Sequence, residues 1–179
     1  MKKFLSIMMV MLLVVATMTA CGTKPAASDM AYIEENGKMV IGYTVYAPMN
    51  YYDDNEEFVG FDTELAKAVC EKLGVEPEFV EIDWDNKFIT LEAKSIDCIW
   101  NGMTITEEAK LNALVSKAYV KNAQVVVMNK ENAAKYTKAE DMADLKFAAE
   151  AGSAGEAAIA DNGLDANYTA VAAQSDALL

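Results

Sequence analysis

The run from Gly60 to Thr106 constrains the fold of this chain more than any other part of the sequence. It holds a helix-like segment with apolar residues at Leu65, Val69 and Leu73, the strand-like EPEFVEI, a second helix-like segment, NKFITLEAKS, and the apolar strand IDCIW. The apolar segment KMVIGY precedes it. Strands that alternate with helices are typical of βαβ units and a parallel sheet. The sequence therefore predicts an α/β fold with mainly parallel sheets.

The boundaries of these elements carry their own signals. Asp62 is placed to cap the first helix, and Gly74 is placed to end it. Beyond Thr106 the pattern predicts a helix starting at Glu107, a strand over AQVVVMN (123–129), a helix-like AEDMADL and a strand over KFAAE. A last helix opens at Ser153, where S-A-G-E fits a capping box.

The first residues have the composition of an export signal. Lys2 and Lys3 precede a short apolar run and small residues, and this run is shorter than the ~20 apolar residues of a membrane span. We expect residues 1–20 to be a signal peptide. MTAC resembles the lipobox of bacterial lipoproteins, which would make Cys21 the lipidated N-terminus. An ordinary signal peptide with a chance cysteine is the alternative. Residues 21–34 then form the lipidated cysteine and a tether.

Composition removes several classes of function. The net charge of -13 repels phosphate backbones, so we expect no nucleic-acid partner. Histidine and arginine are both absent, which removes the commonest member of zinc sites and of Ser-His-Asp triads. We expect no metal, cofactor or catalytic residue. Cys70 and Cys98 fit small core positions, and a disulfide between them is the alternative.

Three loops follow the carboxyl ends of the predicted strands, where ligands bind in open parallel sheets. They are residues 43–50, Trp84 with Asp85, and residues 101–106. Tyr46 and Trp84 offer aromatic surface for an apolar or planar group, although both could be ordinary core or rim residues. The polar groups at the third loop are the side chain of Asn101, the backbone of Gly102 and Met103, and the Thr104 hydroxyl.

A small-residue turn before the last helix offers a further binding element. Ser153 and Ala154 lie at the N-terminus of this helix, where free N–H groups and the helix dipole favour a carboxylate. An ordinary capped helix would have the same residues.

The segments VYAPMNYYDDNEEFVGFDTELAKAV, DWDN and NGMTIT resemble the family 3 extracellular solute-binding proteins of polar amino-acid ABC transporters. The resemblance runs from about Lys38 to the C-terminus. It implies a periplasmic-binding-protein-like type II fold, with two α/β lobes that close over an amino acid. We assign residues 35–124 to lobe 1 and residues 125–179 to part of lobe 2.

The resemblance also implies roles for individual residues. Tyr46 and Trp84 resemble the aromatics that pack on the ligand side chain. Asn101, Gly102 and Thr104 resemble the groups that receive its polar ends. Ser153 and Ala154 resemble the loop that faces the α-carboxylate. Lipid on Cys21 would hold the protein on the outer face of the cell membrane, beside its permease.

Two departures from the family pattern stand out. Where the family has an arginine that clamps the α-carboxylate, this chain has ITEEA followed by Lys110. Either Lys110 and the Ser153 helix end do that work, or the ligand is not a standard α-amino acid. The chain also ends earlier than family members, so we expect a fragment or a truncated gene product with an incomplete second lobe.

The sequence therefore predicts a solute-binding component that captures a polar amino acid or a related small solute for an ABC permease, and not an enzyme. Two alternatives remain from the residues themselves. One is a dehydratase-like enzyme of the same fold, which would need a carboxylate or lysine of tuned pKa in the crevice. The other is a ligand-sensing lobe.

Overall fold

The structure, a computed structural model, describes residues 28–178. The helices and strands along this part of the chain are α1 (Asp29–Asn36), β1 (Lys38–Tyr43), β2 (Tyr51–Tyr52), β3 (Phe58–Val59), α2 (Phe61–Leu73), β4 (Glu76–Glu81), α3 (Lys87–Glu92), β5 (Cys98–Ile99), α4 (Glu107–Asn112), β6 (Phe147–Glu150), α5 (Ala154–Asp161) and β7 (Tyr168–Val171). Short 3-10 helices span Trp84–Asn86, Ala139–Met142, Asp165–Asn167 and Gln174–Leu178. The expected signal peptide, Cys21 and the first part of the tether lie outside the described residues.

The first sheet is parallel, as the alternation of strands and helices predicts. Its strand order is β4-β1-β5, and β1 runs parallel to both neighbours. The central strand is the most apolar, and the side chain of Ile41 is fully buried. The helix α2 covers the sheet with Ala66 and Cys70, which are also fully buried. The possible disulfide is not formed, because Cys70 and Cys98 are both free thiols.

The second sheet consists of β6 and β7, which are also parallel. Met142, Phe147 and Leu164 are buried together and form its core. This core is small because the sheet has two strands in the part of the chain that the structure describes. From Ile33 onward the chain forms one compact unit. The division at residue 124 into two lobes stays a prediction.

The cap of α2 differs from the prediction. Gly74 ends the helix in the left-handed conformation with φ of 73°, as expected, but Asp62 does not cap its start. The N-cap position is Gly60, which makes no side-chain hydrogen bond. The carbonyl of Met49 takes the role instead, since it accepts the N–H groups of Asp62 at 2.9 Å and Thr63 at 3.3 Å. The Asp62 carboxylate is therefore free for other partners.

The strand predicted over residues 123–129 is wrong. This stretch has no regular secondary structure, and Val125, Val126 and Val127 are 76%, 48% and 71% exposed. An apolar run becomes a strand only when a neighbouring strand takes up its backbone N–H and C=O groups. Within residues 28–178 neither sheet includes this segment, so a local pattern alone could not decide the outcome.

Smaller differences concern the ends of elements. The predicted strand IDCIW has two residues in β5, although the Asp97 N–H donates to the Val40 carbonyl at 2.8 Å and the Trp100 N–H to the Gly42 carbonyl at 3.0 Å. Residues 29–34, which the sequence assigns to the tether, belong to α1. Among residues 28–178, none of the helices combines the length and apolar character required to cross a bilayer.

Candidate functional site

An open cleft of about 1160 Å³ lies at the carboxyl ends of the strands. It is lined by all but one of the residues that the sequence nominates for ligand binding, namely Tyr46, Trp84, Asn101, Gly102, Met103, Thr104, Ser153 and Ala154. The three loops that follow β1, β4 and β5 thus meet at one place, as expected for the ligand site of an open parallel sheet.

Lys110 is the nominated residue that the structure does not bring to the cleft. It lies on α4, where its ammonium Nζ is 2.5 Å from Oε1 of Glu107 in an exposed ion pair. A residue three positions before it on the same short helix is its natural partner. In this structure Lys110 does not supply the positive charge that the missing arginine would have given.

Lys87 is a buried cation in the cleft wall, and its role was not predicted from the sequence. Its side chain is 5% exposed, and its ammonium donates to the carbonyls of Trp84 at 3.1 Å and Gly152 at 2.9 Å. The ammonium is also 5.2 Å from the centre of the Trp84 ring and 5.0 Å from that of Phe88, within cation–π range. Lys87 therefore ties the loop after β4 to the turn after β6.

The turn after β6 packs closely against the loop after β4. A Cβ atom at Gly152 would be 2.8 Å from the Cα atom of Asp85, and the glycine has φ of +67°. Only a residue without a side chain fits this close approach in this conformation. Lys87 follows Trp84 by three residues, and this spacing favours the bond between its ammonium and the Trp84 carbonyl. No local pattern predicts the bond to the Gly152 carbonyl.

The two aromatic residues differ in how much surface they offer. Trp84 is 7% exposed, and Lys87 lies over its ring, so most of this side chain is part of the cleft wall. Tyr46 is half-buried, and its ring lies next to Gly102, since a Cβ there would be 3.5 Å from Cε1 of Tyr46. Tyr46 is therefore the aromatic with more free surface for a ligand.

Asn101 is bound by the protein itself. Its amide nitrogen donates to the Thr44 carbonyl at 2.8 Å and to Oδ1 of Asn50 at 2.7 Å. Its amide oxygen accepts the Thr44 hydroxyl at 2.8 Å. Both amide hydrogens are thereby used. The side chain of Asn101 fixes the loops after β1 and β5, and it has no amide hydrogen left to donate to a ligand.

The Thr104 hydroxyl remains able to donate. Its oxygen accepts the side-chain amides of Asn122 at 3.1 Å and Gln124 at 3.3 Å. A hydroxyl has two acceptor positions and one donor, so its own hydrogen is left for an acceptor in the cleft. A ligand carboxylate is an acceptor of this kind.

The start of α5 offers further donors. The Ser153 hydroxyl accepts the Glu156 N–H at 3.1 Å, and a Glu156 oxygen accepts the Gly152 N–H at 2.6 Å, so half of the expected capping box is formed. The N–H groups of Ala154 and Gly155 have no hydrogen-bond acceptor within residues 28–178. Both residues line the cleft, at the helix end where an anion is favoured.

Glu150 is a second cleft residue that sequence reasoning missed. It ends β6 and is 6% exposed, and its Oε1 atom has no hydrogen-bond partner in the described part of the chain. Burial raises the pKa of this carboxyl, while the Thr44 hydroxyl and the Lys87 ammonium act in the opposite direction. The segment KFAAE reads as a strand, and nothing in it shows that its last residue turns into a cleft.

Asp62 holds Gly102, a residue of the cleft lining, in position. Its fully buried carboxylate accepts the Gly102 N–H, and it accepts the Tyr119 hydroxyl at 2.9 Å. Burial raises the pKa of Asp62, although the bonds from Tyr119 and Gly102 lower it. The residue expected to cap a helix thus holds the loop after β5 in place.

Comparison with known proteins identifies relatives of this arrangement. Residues 39–178 match the bacterial extracellular solute-binding proteins, family 3. The arginine-binding extracellular protein ArtP of Bacillus subtilis is 32% identical over 133 residues, which are 74% of this chain and 50% of ArtP. The chain spans about half the length of the curated relatives that it matches.

Solved structures agree with the sequence comparison. The ancestral amino acid-binding protein AncCDT-1, a precursor of cyclohexadienyl dehydratase, superposes with a TM-score of 0.79 at 32% identity, over 84% of this chain and 68% of that one. A substrate-binding protein of an ABC uptake transporter from Streptococcus pneumoniae, solved with bound histidine, gives 0.70 at 34% identity, over 77% and 56%. The nominated family is thereby confirmed: this chain belongs to the bacterial extracellular solute-binding proteins of family 3.

Proposed function

We propose that this chain is the extracellular solute-binding component of an ABC transporter, and that its cleft captures a polar amino acid for delivery to the membrane permease. The observation that carries the proposal is the set of groups around one cleft. An aromatic surface, unused hydrogen-bond donors and a buried carboxylate all face the same space. These are the groups that an amino acid needs for its side chain, its carboxylate and its cationic nitrogen.

The carboxylate of the ligand is expected at the side of the cleft where free donors meet. The Thr104 hydroxyl and the N–H groups of Ala154 and Gly155 are available there. Gln124 connects these groups, because its amide binds Thr104 and its oxygen would be 3.4 Å from a Cβ on Gly155. Backbone and hydroxyl donors at a helix N-terminus would replace the arginine fork that the chain lacks.

The mechanism we propose is closure around the ligand. Lobe 1 (residues 35–124) supplies Tyr46 and Thr104, and the part of lobe 2 in this chain (residues 125–179) supplies the start of α5. A ligand that contacts both lobes stabilises the closed arrangement over the open one. The permease would recognise that closed arrangement. The Lys87 bond to the Gly152 carbonyl would join the two lobes.

The location we propose follows from the leader. Export by the signal peptide (residues 1–20) and lipidation of Cys21 would place the binding domain on the extracytoplasmic face of the cell membrane, next to the permease. The relative ArtP is named as an extracellular protein, which supports export but not the lipid anchor.

Catalysis is not part of this proposal. The name of AncCDT-1 links that protein to a dehydratase, and Glu150 and Lys87 do bring a carboxylate and an ammonium to the cleft of this chain. Binding without turnover of a prephenate-like substrate would exclude a dehydratase-like enzyme. A ligand-sensing lobe would bind the same solutes without a permease partner.

Calorimetric titration of the leaderless chain (from Gly22) with the twenty amino acids tests the proposal. We expect saturable binding of one chemical class. Replacing Tyr46 by alanine should weaken that binding about tenfold, because the ligand loses its most accessible aromatic contact.

The matched control is Tyr52→Ala. Tyr52 is 51% exposed and is not part of the cleft lining, so this variant should bind like the parent chain. A folded parent chain that binds none of the amino acids would contradict the proposed function. A Tyr46→Ala variant with unchanged affinity would show that the ligand does not bind in this cleft.

A further inference from the structure

Glu150 is the acid of the cleft that its surroundings do not satisfy. Four acids line the cleft, and three of them, Glu108, Asp161 and Asp176, are exposed to solvent. Glu150 is the buried one, and one of its carboxylate oxygens has no donor among the described residues. Buried charged groups are normally paired or hydrogen-bonded, and an exception indicates a missing partner.

The neighbouring lysine does not fill this gap. The Lys87 ammonium gives two of its three hydrogens to backbone carbonyls. None of the ion pairs formed in residues 28–178 joins it to Glu150. The charge of Lys87 lowers the pKa of Glu150 against the effect of burial. It therefore stabilises the ionised carboxylate without forming an ion pair with it. The lysine thereby leaves this buried oxygen of Glu150, a residue of the cleft lining, without a hydrogen-bond donor.

The charges around the cleft favour a positive ligand. The cleft lining contains two lysines, Lys87 and Lys146, and four acids, so negatively charged residues are in excess. The α-ammonium and α-carboxylate of an amino acid cancel each other, so only a positively charged side chain gives the ligand the complementary net charge. The exposed acids are screened by salt, whereas a buried carboxylate is screened much less. Glu150 therefore dominates the selection.

We propose that Glu150 determines the specificity of the cleft, and that its unpartnered carboxylate oxygen accepts a hydrogen bond from the cationic side chain of an amino acid such as arginine. This inference rests on the proposed function and names the class of its solute. The position of Glu150 at the carboxyl end of a parallel strand, β6, is where ligand contacts are expected in such sheets.

The test is calorimetric titration of the leaderless chain and its Glu150→Gln variant with L-arginine, L-citrulline and L-glutamate. The parent chain should prefer L-arginine over L-citrulline by at least about tenfold, because the ureido group of L-citrulline can donate a hydrogen bond but lacks the positive charge of the guanidinium. It should not bind L-glutamate. The Glu150→Gln variant should bind L-arginine about 10- to 100-fold more weakly.

The matched control is Glu71→Gln, which removes one exposed negative charge outside the cleft lining by the same change of side chain. Its affinity for L-arginine should stay within about twofold of the parent, since solvent screens an exposed charge. Glutamine has the shape of glutamate, and the melting temperature of Glu150→Gln should equal or exceed that of the parent. A lower affinity in this variant then reports the lost charge and not unfolding.

Acidification gives a readout that a purely structural role would not produce. L-arginine keeps its side-chain charge between pH 5 and 8. Because the pKa of Glu150 is raised, affinity for L-arginine should fall in the parent chain as the pH is lowered, and should stay flat in Glu150→Gln. Asp83 and Asp176 raise the pKa of Glu150 and Lys87 lowers it, so these are the other charges that face it.

The outcomes separate this inference from the proposed function. Equal affinity of parent and Glu150→Gln for L-arginine, or preference for L-citrulline or L-glutamate, would overturn the role of Glu150 and leave amino-acid binding intact. A folded parent chain that binds none of the twenty amino acids would overturn both.

Discussion

Replacing Asn101 by alanine is expected to lower the free energy of unfolding by about 3–5 kcal/mol. The side chain is 4% exposed, and its partners Thr44 and Asn50 are equally buried. Its loss would leave the Thr44 carbonyl, the Thr44 hydroxyl and the Asn50 amide oxygen without the bonds that they form at 2.7 to 2.8 Å. Each buried polar group without a partner carries its own desolvation penalty. Urea denaturation of the leaderless chain measures the change.

Asn112→Ala is the control for this prediction. Asn112 is exposed and makes one bond, from its amide to the Glu108 carbonyl at 2.9 Å. Its replacement should change the free energy of unfolding by less than about 0.5 kcal/mol. A loss of similar size in both variants would mean that the network around Asn101 does not hold the loops after β1 and β5 together.

Gly60→Ala is expected to destabilise the chain by about 4 kcal/mol or more, or to prevent folding. Gly60 has φ of +132°, and a Cβ atom there would lie 2.2 Å from the carbonyl oxygen of Met49. That oxygen cannot move away, because it accepts the N–H groups of Asp62 and Thr63 at the start of α2. The substitution would therefore break the helix start and strain the backbone in one step. Thermal melting followed by circular dichroism measures the effect.

Gly37→Ala separates backbone strain from the clash. Gly37 has φ of +68°, with open space where a Cβ atom would lie, so this variant bears the conformational penalty alone, about 1–2 kcal/mol. If Gly60→Ala cost no more than Gly37→Ala, the close approach of Gly60 to Met49 would be refuted.

The elements that the sequence predicted well are those whose causes are local. The apolar stripe of α2 and its Gly74 end depend on residues a few positions apart, and the apolar run of β1 is long enough to identify a buried strand. The prediction that the loops after β1, β4 and β5 share one cleft followed from the rule that ligands lie at the carboxyl ends of parallel strands. That rule predicts the location of the cleft lined by Tyr46 and Thr104. It does not predict the hydrogen bonds of the individual side chains.

The features that the sequence did not reveal depend on distant parts of the chain. Asp62 binds Gly102, 40 positions away, and Lys87 binds Gly152, 65 positions away. Glu150 lies in the cleft because β6 ends there. Spacing along the chain contains no information about such pairs. The positive charge for the ligand carboxylate was therefore expected from Lys110, the lysine nearest to the family's arginine position.

The segment at 123–129 illustrates the same limit for secondary structure. Its composition has high strand propensity, yet strand propensity expresses how well a residue fits a pleated, half-buried surface. Val125 and Val127 are mostly exposed in the structure. High strand propensity alone therefore did not predict the structure of this segment, because a strand also needs a partner strand beside it.

The most direct test of amino-acid binding in this cleft uses the two tryptophans of the chain. Trp84 lines the cleft, whereas Trp100 is not part of its lining. The leaderless chain labelled with ¹⁵N is titrated with L-arginine and then with L-histidine, and the two indole N–H signals are followed by NMR. We predict that at least one of these amino acids shifts the Trp84 signal saturably while the Trp100 signal moves less. If neither amino acid moves the Trp84 signal at millimolar concentration, the cleft is not the amino-acid site.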